Sequence, residues 1–473
     1  MKLPNWRQQP TTKFRLAMGM LIILSSFTNT TNLFAEETSS EAAGEAYEEN
    51  WWRSVRQGMW QWEGADWTRV SEALSRIENA TGKRRYEDKV DTITKYGTGH
   101  WVYEWSRIGK QAQKEAKKYE KKGDSQAALN AYIEASIYYT QASYPHFRDK
   151  HSRNAITKAV EMYKQAGRHF ATPLESWELE VDGAKFTALV HFPARQSSTP
   201  YPVIMKTGGM DVFSTEYYPL SKTINDAGAV MVVFDAPGTG NLGIVDANYD
   251  KHHVAVLQHI MKDKRFDAER IGVWSESLAG LTAVRIALGE HRKNIAAAVN
   301  SCGPMHSLYA MELTGPSPDG YDVHALVNAY NKGTLSDAEM ASFNKAMLTP
   351  ALAGMFMDFQ SQTFFDRARA NPDNVLDIMA KSLPVSLIEQ GLIGKSNMTN
   401  TPILTINTHA DPLVPLSESQ MATDVSVQGK LMIINEYGGH CVSRDEVPVI
   451  MEWLAFHLKL ETLGDLVKIN RGG

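Results

Sequence analysis

The sequence contains only two cysteines, no long run of basic residues and no apolar run long enough to span a bilayer comfortably. Its formal net charge is −5 at pH 7, so nucleic acid is not expected as a partner. A chain of 473 residues can bury a large core and does not need a disulfide for stability. An exported chain could pair Cys302 with Cys441, but we expect two free, buried thiols.

Residues 1–35 show the order of features found in a secretory signal peptide. Four Lys and Arg side chains precede an apolar run at 16–27, and a polar stretch follows it as far as Ala35. We therefore expect export of the mature chain to the periplasm or the medium, with no integral membrane role after cleavage. Leu33 is larger than the residue preferred near a cleavage site, and an uncleaved N-terminal anchor is the alternative.

Residues 36–48 are small, acidic and polar, as in a flexible leader, and from about Glu49 to His169 the pattern is helical and rich in aromatic residues. Seven of the eleven tryptophans lie between Trp51 and Trp105. Gly123 and Asp124 are a helix stop followed by an N-cap. In the helix that follows, four residues share one face: Ala128, Tyr132, Ala135 and Tyr139. We predict that 36–172 form a helical N-terminal lid domain.

From about Pro173 the period changes to that of β-strands. Segments 177–181 and 186–192 alternate like paired strands around a turn at Asp182 and Gly183. Six further apolar strand candidates follow, most of them separated by helices: 203–206, 230–235, 271–274, 296–300, 403–407 and 431–435. This alternation predicts an α/β domain over 173–473, with a mostly parallel sheet covered by helices on both faces. A helical insertion is expected at about 303–400.

The stretch 271–280 has the layout of a nucleophile elbow, a tight strand-to-helix turn with one side chain at its apex. The apex residue is Ser277. Small residues must flank it because the neighbouring backbones nearly touch, and here Ser275 and Ala279 stand where glycines are usual. We predict that Ser277 is a catalytic nucleophile.

A serine nucleophile needs a base within hydrogen-bond reach and an acid that orients the base. His440 follows the strand candidate 431–435, and Asp411 follows 403–407. Both therefore follow the end of a strand. They come after Ser277 in the sequence, in the order serine, acid, histidine that this type of site uses. His409 is the rival base and Glu436 the rival acid.

An acyl-transfer site also needs two N–H donors for the developing oxyanion. The first is expected from Leu278, the residue after the nucleophile. The second is expected from Gly209 or Met210, in the loop after strand candidate 203–206. No cofactor or metal is required by this chemistry.

Five segments carry a resemblance to a known family: 202–211, 233–240, 271–280, 402–415 and 438–440. They are similar to an α/β-hydrolase family that includes the FrsA-like esterases, 2,6-dihydroxypseudooxynicotine hydrolase and fungal hydrolases that shorten pigment polyketides. The resemblance implies the α/β-hydrolase fold with an N-terminal helical lid. It also implies a serine hydrolase with Ser277 as nucleophile, Asp411 as acid and His440 as base.

We therefore expect an exported enzyme that hydrolyses a small-molecule carboxylic ester. Two alternatives stay open. The same three residues could cleave a carbon–carbon bond next to a ketone, or the chain could be a non-catalytic protein that binds a partner. The sequence also leaves a homodimer open.

Overall fold

The computed structural model describes most of the chain between Asn50 and Leu460, all of it within one compact unit, Ala42–Gly473. The described residues are 50–53, 55–85, 87–144, 150–195, 197–209, 212–236, 247–306, 329–330, 332–347, 385–394, 397–409, 411, 414–434, 440–441 and 446–460. The expected signal peptide and most of the expected insertion at 303–400 lie outside them. Within these ranges, no helix combines the length and apolar character needed to cross a membrane.

The N-terminal described part is helical. Its helices are α1 (Gln57–Glu63), α2 (Trp67–Glu78), α3 (Trp101–Lys121), α4 (Ser125–Ser143) and α5 (Lys150–Gly167). Asp124 caps α4 by accepting a hydrogen bond from the N–H of Ala127 at 3.1 Å. Gly123 precedes it with φ of +74°, a left-handed conformation that suits glycine after a helix end. The predicted stop and N-cap are confirmed.

Helix α4 lies at the centre of this helical part and is buried on most sides. The face predicted from the sequence is buried, as are Trp60, Trp101 and Trp105. The rings of Trp60 and Trp105 meet edge to face with centroids 5.0 Å apart. Aromatic pairs of this geometry add to the stabilisation that comes from area burial alone.

The second part is built on an eight-stranded sheet in the order β1-β2-β4-β3-β5-β6-β7-β8. Its strands are β1 (Glu175–Val181), β2 (Ala184–His191), β3 (Tyr201–Thr207), β4 (Val230–Phe234), β5 (Phe266–Glu276), β6 (Ala297–Ser301), β7 (Ile403–Thr408) and β8 (Lys430–Ile434). Strand β2 pairs antiparallel with β1 and β4, and all other neighbours are parallel. Asp182 and Gly183 both have positive φ in the β1–β2 turn, as the central residues of a type I′ hairpin turn do.

Helices cover both faces of the sheet. They are α6 (Tyr218–Asp226), α7 (Lys251–Lys262), α8 (Gly280–Leu288), α10 (Leu416–Asp424) and α11 (Glu446–Leu458), and a further helix, α9 (Asp337–Met347), lies in the chain between β6 and β7. Along β3, Ile204 belongs to a core shared with α6, α11 and the N-terminal helices. Its neighbours Val203 and Met205 belong to the opposite core, with α7, α8 and α10. The α/β-hydrolase fold is therefore confirmed, and the N-terminal helices share a core with one face of its sheet.

Candidate active site

Ser277 stands at the apex of the turn between β5 and α8. Its φ is +51°, and Ser277–Ala279 form a short 3₁₀ turn before the helix. A non-glycine residue in this backbone region is strained, and the surrounding structure must hold it there. This is the strand–turn–helix geometry that the sequence predicts.

The hydroxyl of Ser275, in a position where glycine is usual, makes a specific contact. The Thr207 hydroxyl at the end of β3 donates to Ser275 Oγ at 2.8 Å. Thr207 Oγ1 in turn lies 3.0 Å from Nε2 of His253. Burial lowers the pKa of His253 to about 3, so the ring is neutral and Nε2–H donates to Thr207. These buried hydrogen bonds join β5, the strand that leads to Ser277, to β3. Strand β3 leads in turn to the loop at 208–210, called the glycine loop below.

A glycine close to the elbow is required at Gly280, one position later than the usual pattern. A Cβ there would collide with Oδ1 of Asn300 and with the backbone of Gly303. The amide of Asn300 also accepts a hydrogen bond from the N–H of Gly303 at 2.9 Å. The start of α8 can therefore pack directly against the loop after β6, a requirement that sequence reasoning missed.

Ser277, His440 and Asp411 meet at the C-terminal ends of β5, β8 and β7. Ser277 Oγ lies 2.7 Å from His440 Nε2. Nδ1 of His440 lies 2.9 Å from Asp411 Oδ2 and 3.1 Å from Oδ1. Since the carboxylate can only accept, Nδ1 carries the proton and Nε2 accepts from Ser277. The structure thus brings together the three side chains predicted from the sequence.

The Asp411 carboxylate is held in place by its surroundings. Its side chain is 1% exposed, against 19% for His440. Oδ1 also accepts a hydrogen bond from the N–H of Val414 at 2.9 Å. The rival base His409 is exposed. Its backbone N–H donates to the carbonyl of Ile434 and so continues the pairing of β7 with β8. The rival acid Glu436 lies outside the described residues.

The predicted oxyanion donors belong to two adjacent segments. Leu278 follows Ser277 in the 3₁₀ turn and is buried. Thr207 is paired with Ser275, so the glycine loop after β3 starts beside the elbow. Gly208 must be glycine there, because a Cβ would collide with the hydroxyl of Tyr217. Gly209 is described and Met210 is not.

An ion pair joins the same two strands, with its ammonium fully buried and its carboxylate side chain 19% exposed. Nζ of Lys206, fully buried in β3, lies 2.5 Å from Oε1 of Glu276, the residue before Ser277. The Tyr217 hydroxyl donates to the other carboxylate oxygen at 2.9 Å. Nζ also lies over the rings of Tyr217 and Trp274, 4.5 and 4.9 Å from their centroids. Sequence reasoning missed this ion pair, whose signal was a lysine in the otherwise apolar strand candidate 203–206.

A second carboxyl, Glu446 at the start of α11, belongs to the same buried group. Burial lowers the pKa of the Lys206 ammonium, and the charge of Glu276 opposes this. Burial raises the pKa of Glu446 to about 8, the charge of Glu276 adds to the rise, and Lys206 opposes it. At neutral pH Glu446 is therefore mostly protonated, which leaves one carboxylate opposite one ammonium.

Cys302 and Cys441 form a disulfide, so the expectation of two free thiols is wrong. Their Cα atoms lie 5.4 Å apart although the two residues are 139 positions apart in the sequence. Cys302 follows β6, and Cys441 follows the candidate base His440. Parallel pairing of β6 next to β7, and of β7 next to β8, brings these two strand-end loops to one edge of the sheet. Spacing in the sequence could not reveal this proximity.

The fold and the site together define the class: a serine hydrolase of the α/β-hydrolase fold. A family model described as "Esterase FrsA-like" matches residues 23–326, more than half of the chain's 473 residues. The chain belongs to this FrsA-like esterase family. The matched range includes Ser277 and ends before Asp411 and His440.

Relatives that match over most of the chain agree with this assignment, and solved structures share the fold. Esterase FrsA of Photobacterium profundum is 23% identical over 411 residues, which cover 86% of this chain and 88% of that protein. Esterase FrsA of Vibrio vulnificus is 26% identical over 400 residues, covering 83% and 85%. The 2,6-dihydroxy-pseudo-oxynicotine hydrolase structure has a TM-score of 0.59 at 19% identity, covering 86% of this chain and 96% of its own. AbyA5 has a TM-score of 0.53 at 18% identity, covering 84% and 94%, and both structures share the fold.

Proposed function

We propose that the protein hydrolyses carboxylic esters through an acyl-enzyme, with Ser277 as nucleophile, His440 as base and Asp411 as acid. The observation that carries this proposal is the 2.7 Å contact between Ser277 Oγ and His440 Nε2. It occurs with the other ring nitrogen bonded to a buried carboxylate, as an acid-oriented base requires.

The geometry supports a two-stage reaction. Ser277 Oγ bonds to the ester carbonyl carbon while His440 Nε2 takes its proton, and Asp411 stabilises the imidazolium. The proton then passes to the departing alcohol oxygen as the carbon–oxygen bond breaks. Water repeats the sequence on the acyl-enzyme, releases the acid and restores Ser277.

The N–H of Leu278 and that of Gly209 or Met210 are proposed to hold the oxyanion. Leu278 is supported by its position directly after the nucleophile, and the glycine loop by the Thr207–Ser275 pairing beside the elbow. A single donor of this kind typically stabilises the transition state by about 3 kcal/mol.

A fluorophosphonate probe tests the nucleophile. The wild-type protein should be labelled with one probe per chain, and Ser277→Ala should abolish labelling. Ser275→Ala is the matched control from the same turn: its hydroxyl is buried against Thr207, so the variant should still be labelled. Labelling that persists in Ser277→Ala would remove Ser277 from the proposal, and an unlabelled wild type would favour a non-catalytic binding protein.

The substrate class is tested separately. We propose a small-molecule ester, and a series of p-nitrophenyl esters of increasing acyl length should be hydrolysed by the wild type and not by Ser277→Ala. β-Diketones serve as the second arm of the assay. Turnover of diketones without turnover of esters would assign the same three residues to carbon–carbon bond cleavage next to a ketone.

We also propose that the mature chain is exported. The Cys302–Cys441 disulfide supports this, because such bonds persist mainly in oxidising compartments. Cell fractionation with N-terminal sequencing should find the protein outside the cytoplasm with its first residues removed near Ala35. A full-length chain in the cytoplasmic fraction would contradict the proposal.

A further inference from the structure

Three metal-ligand side chains meet beside the nucleophile. One donor atom from each of Cys302, His440 and Cys441 lies within 4.8 Å of the other two. Cys441 Sγ is 3.5 Å from Nε2 of His440, the same nitrogen that accepts from Ser277. The disulfide occupies both sulfurs in the oxidised protein, so this ligand set becomes available only on reduction.

We propose that reduction of the Cys302–Cys441 bridge creates a site for a thiolate-binding divalent cation, with Zn²⁺ as the ion tested, and that the bound ion blocks catalysis. The binding half of this proposal depends only on the three ligands. The blocking half rests on the proposed role of His440 as base.

The ligand types and their spacing fit zinc. Zinc takes thiolate sulfur at about 2.3 Å and imidazole nitrogen at about 2.0–2.1 Å in tetrahedral geometry. Those bond lengths place sulfur about 3.6 Å from nitrogen and the two sulfurs about 3.8 Å apart. The 3.5 Å between Cys441 Sγ and His440 Nε2 already meets the first condition. Opening the bridge lets the sulfurs separate to meet the second, and water can fill the fourth position.

The surroundings of His440 are those of a metal-binding histidine. Its Nδ1–H donates to the Asp411 carboxylate at 2.9 Å, the carboxylate–histidine arrangement that orients metal ligands and strengthens them. Cys302 is 1% exposed, whereas the His440 side chain is 19% exposed and leaves an entry for an ion.

The chemistry balances with a phosphine as the reductant. The phosphine attacks one sulfur and breaks the S–S bond, and water then gives two thiols and the phosphine oxide. Zn²⁺ replaces one proton on each thiol and shares the Nε2 lone pair of His440, releasing two protons. That lone pair can then no longer accept the Ser277 proton. The closed bridge therefore keeps the base free.

The experiment compares oxidised and phosphine-reduced full-length protein with the Cys302→Ser/Cys441→Ser variant. The reduced wild type should bind one Zn²⁺ per chain and lose ester hydrolysis, with recovery when a chelator is added. Its half-inhibitory Zn²⁺ concentration should be at least about tenfold lower than those of the oxidised protein and the variant. Each rate is normalised to the same sample without metal. Cobalt substituted into the reduced wild type should show a thiolate-to-cobalt charge-transfer band that the variant lacks.

The cobalt band separates this proposal from the proposed function, since it needs no activity. Equal zinc sensitivity of reduced wild type and variant, or reduced protein without a charge-transfer band, would overturn the inference. Loss of the near-ultraviolet circular dichroism on reduction would equally overturn it, because no folded three-ligand site would then exist. If the protein shows the charge-transfer band but hydrolyses no ester, the metal site is supported. Only the proposal that the bound ion blocks catalysis is then removed.

Discussion

At the scale of single residues, the ammonium of Lys206 occupies a costly position, because the side chain is fully buried. A buried ammonium is tolerated only when it is paired and hydrogen-bonded. Lys206 meets that requirement through Glu276, the Thr207 carbonyl and two aromatic faces. The pair joins the strand leading to the glycine loop with the strand leading to Ser277.

We expect Lys206→Met to lower the free energy of unfolding by about 3 kcal/mol, because it leaves the Glu276 carboxylate without its counter-charge. Urea unfolding followed by circular dichroism measures the change. Lys206→Met/Glu276→Gln should recover most of the loss, since it removes both charges. Lys222→Met, at an exposed lysine in α6, is the matched control and should change stability by less than about 0.5 kcal/mol. A double variant no more stable than Lys206→Met would show that the pair is not the cause.

The three candidate catalytic residues could be predicted from the sequence for a physical reason. Each follows the end of a strand that is apolar enough to recognise, and parallel strands carry their C-terminal ends to one edge. The disulfide and the Lys206–Glu276 pair could not be predicted in this way. Both depend on which strands are neighbours in the sheet. The residue pattern within each segment does not reveal that order.

At the scale of elements, the contact between α8 and the loop after β6 fixes where the elbow sits. The backbones of Gly280 and Gly303 approach so closely that neither has room for a Cβ. Helix α8 begins directly after the 3₁₀ turn that contains Ser277. Any displacement at Gly280 therefore reaches the nucleophile.

Gly280→Ala should lower the free energy of unfolding by about 1–3 kcal/mol through overpacking. It should also reduce fluorophosphonate labelling of the folded protein, because Ser277 moves relative to His440. Gly394→Ala is the control, since a Cβ there meets no atom within 4 Å. Thermal unfolding and labelling rate measure the two effects. If Gly280→Ala has the thermal stability and labelling rate of the wild type, the loop after β6 moves aside at little energetic cost.

Helix α11 carries a pH-dependent contribution through Glu446 at its first turn. A helix N-terminus favours a charged carboxylate, but burial outweighs it and raises the pKa to about 8 from the ordinary 4.5. Between these values the folded chain holds a proton that the unfolded chain has released. The stabilisation is therefore complete below the lower value and is lost as the pH rises through the upper one.

The free energy of unfolding of the wild type should fall as the pH rises from about 5 to 8, and that of Glu446→Gln should fall less. One titrating group of this kind changes the free energy of unfolding by up to about 1.4 kcal/mol per pH unit. The free energy of unfolding of each protein is measured across this range. Glu452→Gln, at an exposed position of the same helix, should follow the wild type. A constant difference between wild type and Glu446→Gln at every pH would contradict the assignment.

At the scale of the whole molecule, the class of fold was more predictable than the relation between its parts. Period changes near Pro173 and apolar strands between helices were enough to predict the α/β sheet and the helical N-terminal part. The shared core was not predictable, because the burial of α4 on most sides depends on partners distant in the chain. The contacts that join the parts are equally distant in sequence.

Those contacts connect the N-terminal helices to the turn after the glycine loop. Gln141 Nε2 at the end of α4 donates to Glu216 Oε1 at 3.2 Å, and Thr140 and Thr215 hydroxyls lie 3.2 Å apart. Glu216 Oε2 accepts from the N–H of Phe213 at 2.6 Å, which fixes the turn itself. The helical part therefore supports a segment only a few residues from the expected oxyanion donors.

Because the helices and the sheet share one core, we expect them to unfold together. Tryptophan fluorescence reports mainly on the helical part, which holds seven of the eleven tryptophans, while fluorophosphonate labelling reports on the sheet edge at Ser277. On stepwise addition of urea, the two signals should fall with the same midpoint, as a single cooperative transition requires. Thr140→Val/Gln141→Leu, which removes the side-chain bonds to the turn, should lower both midpoints together. A fluorescence transition that precedes loss of labelling would show that the helices form an independently folding domain.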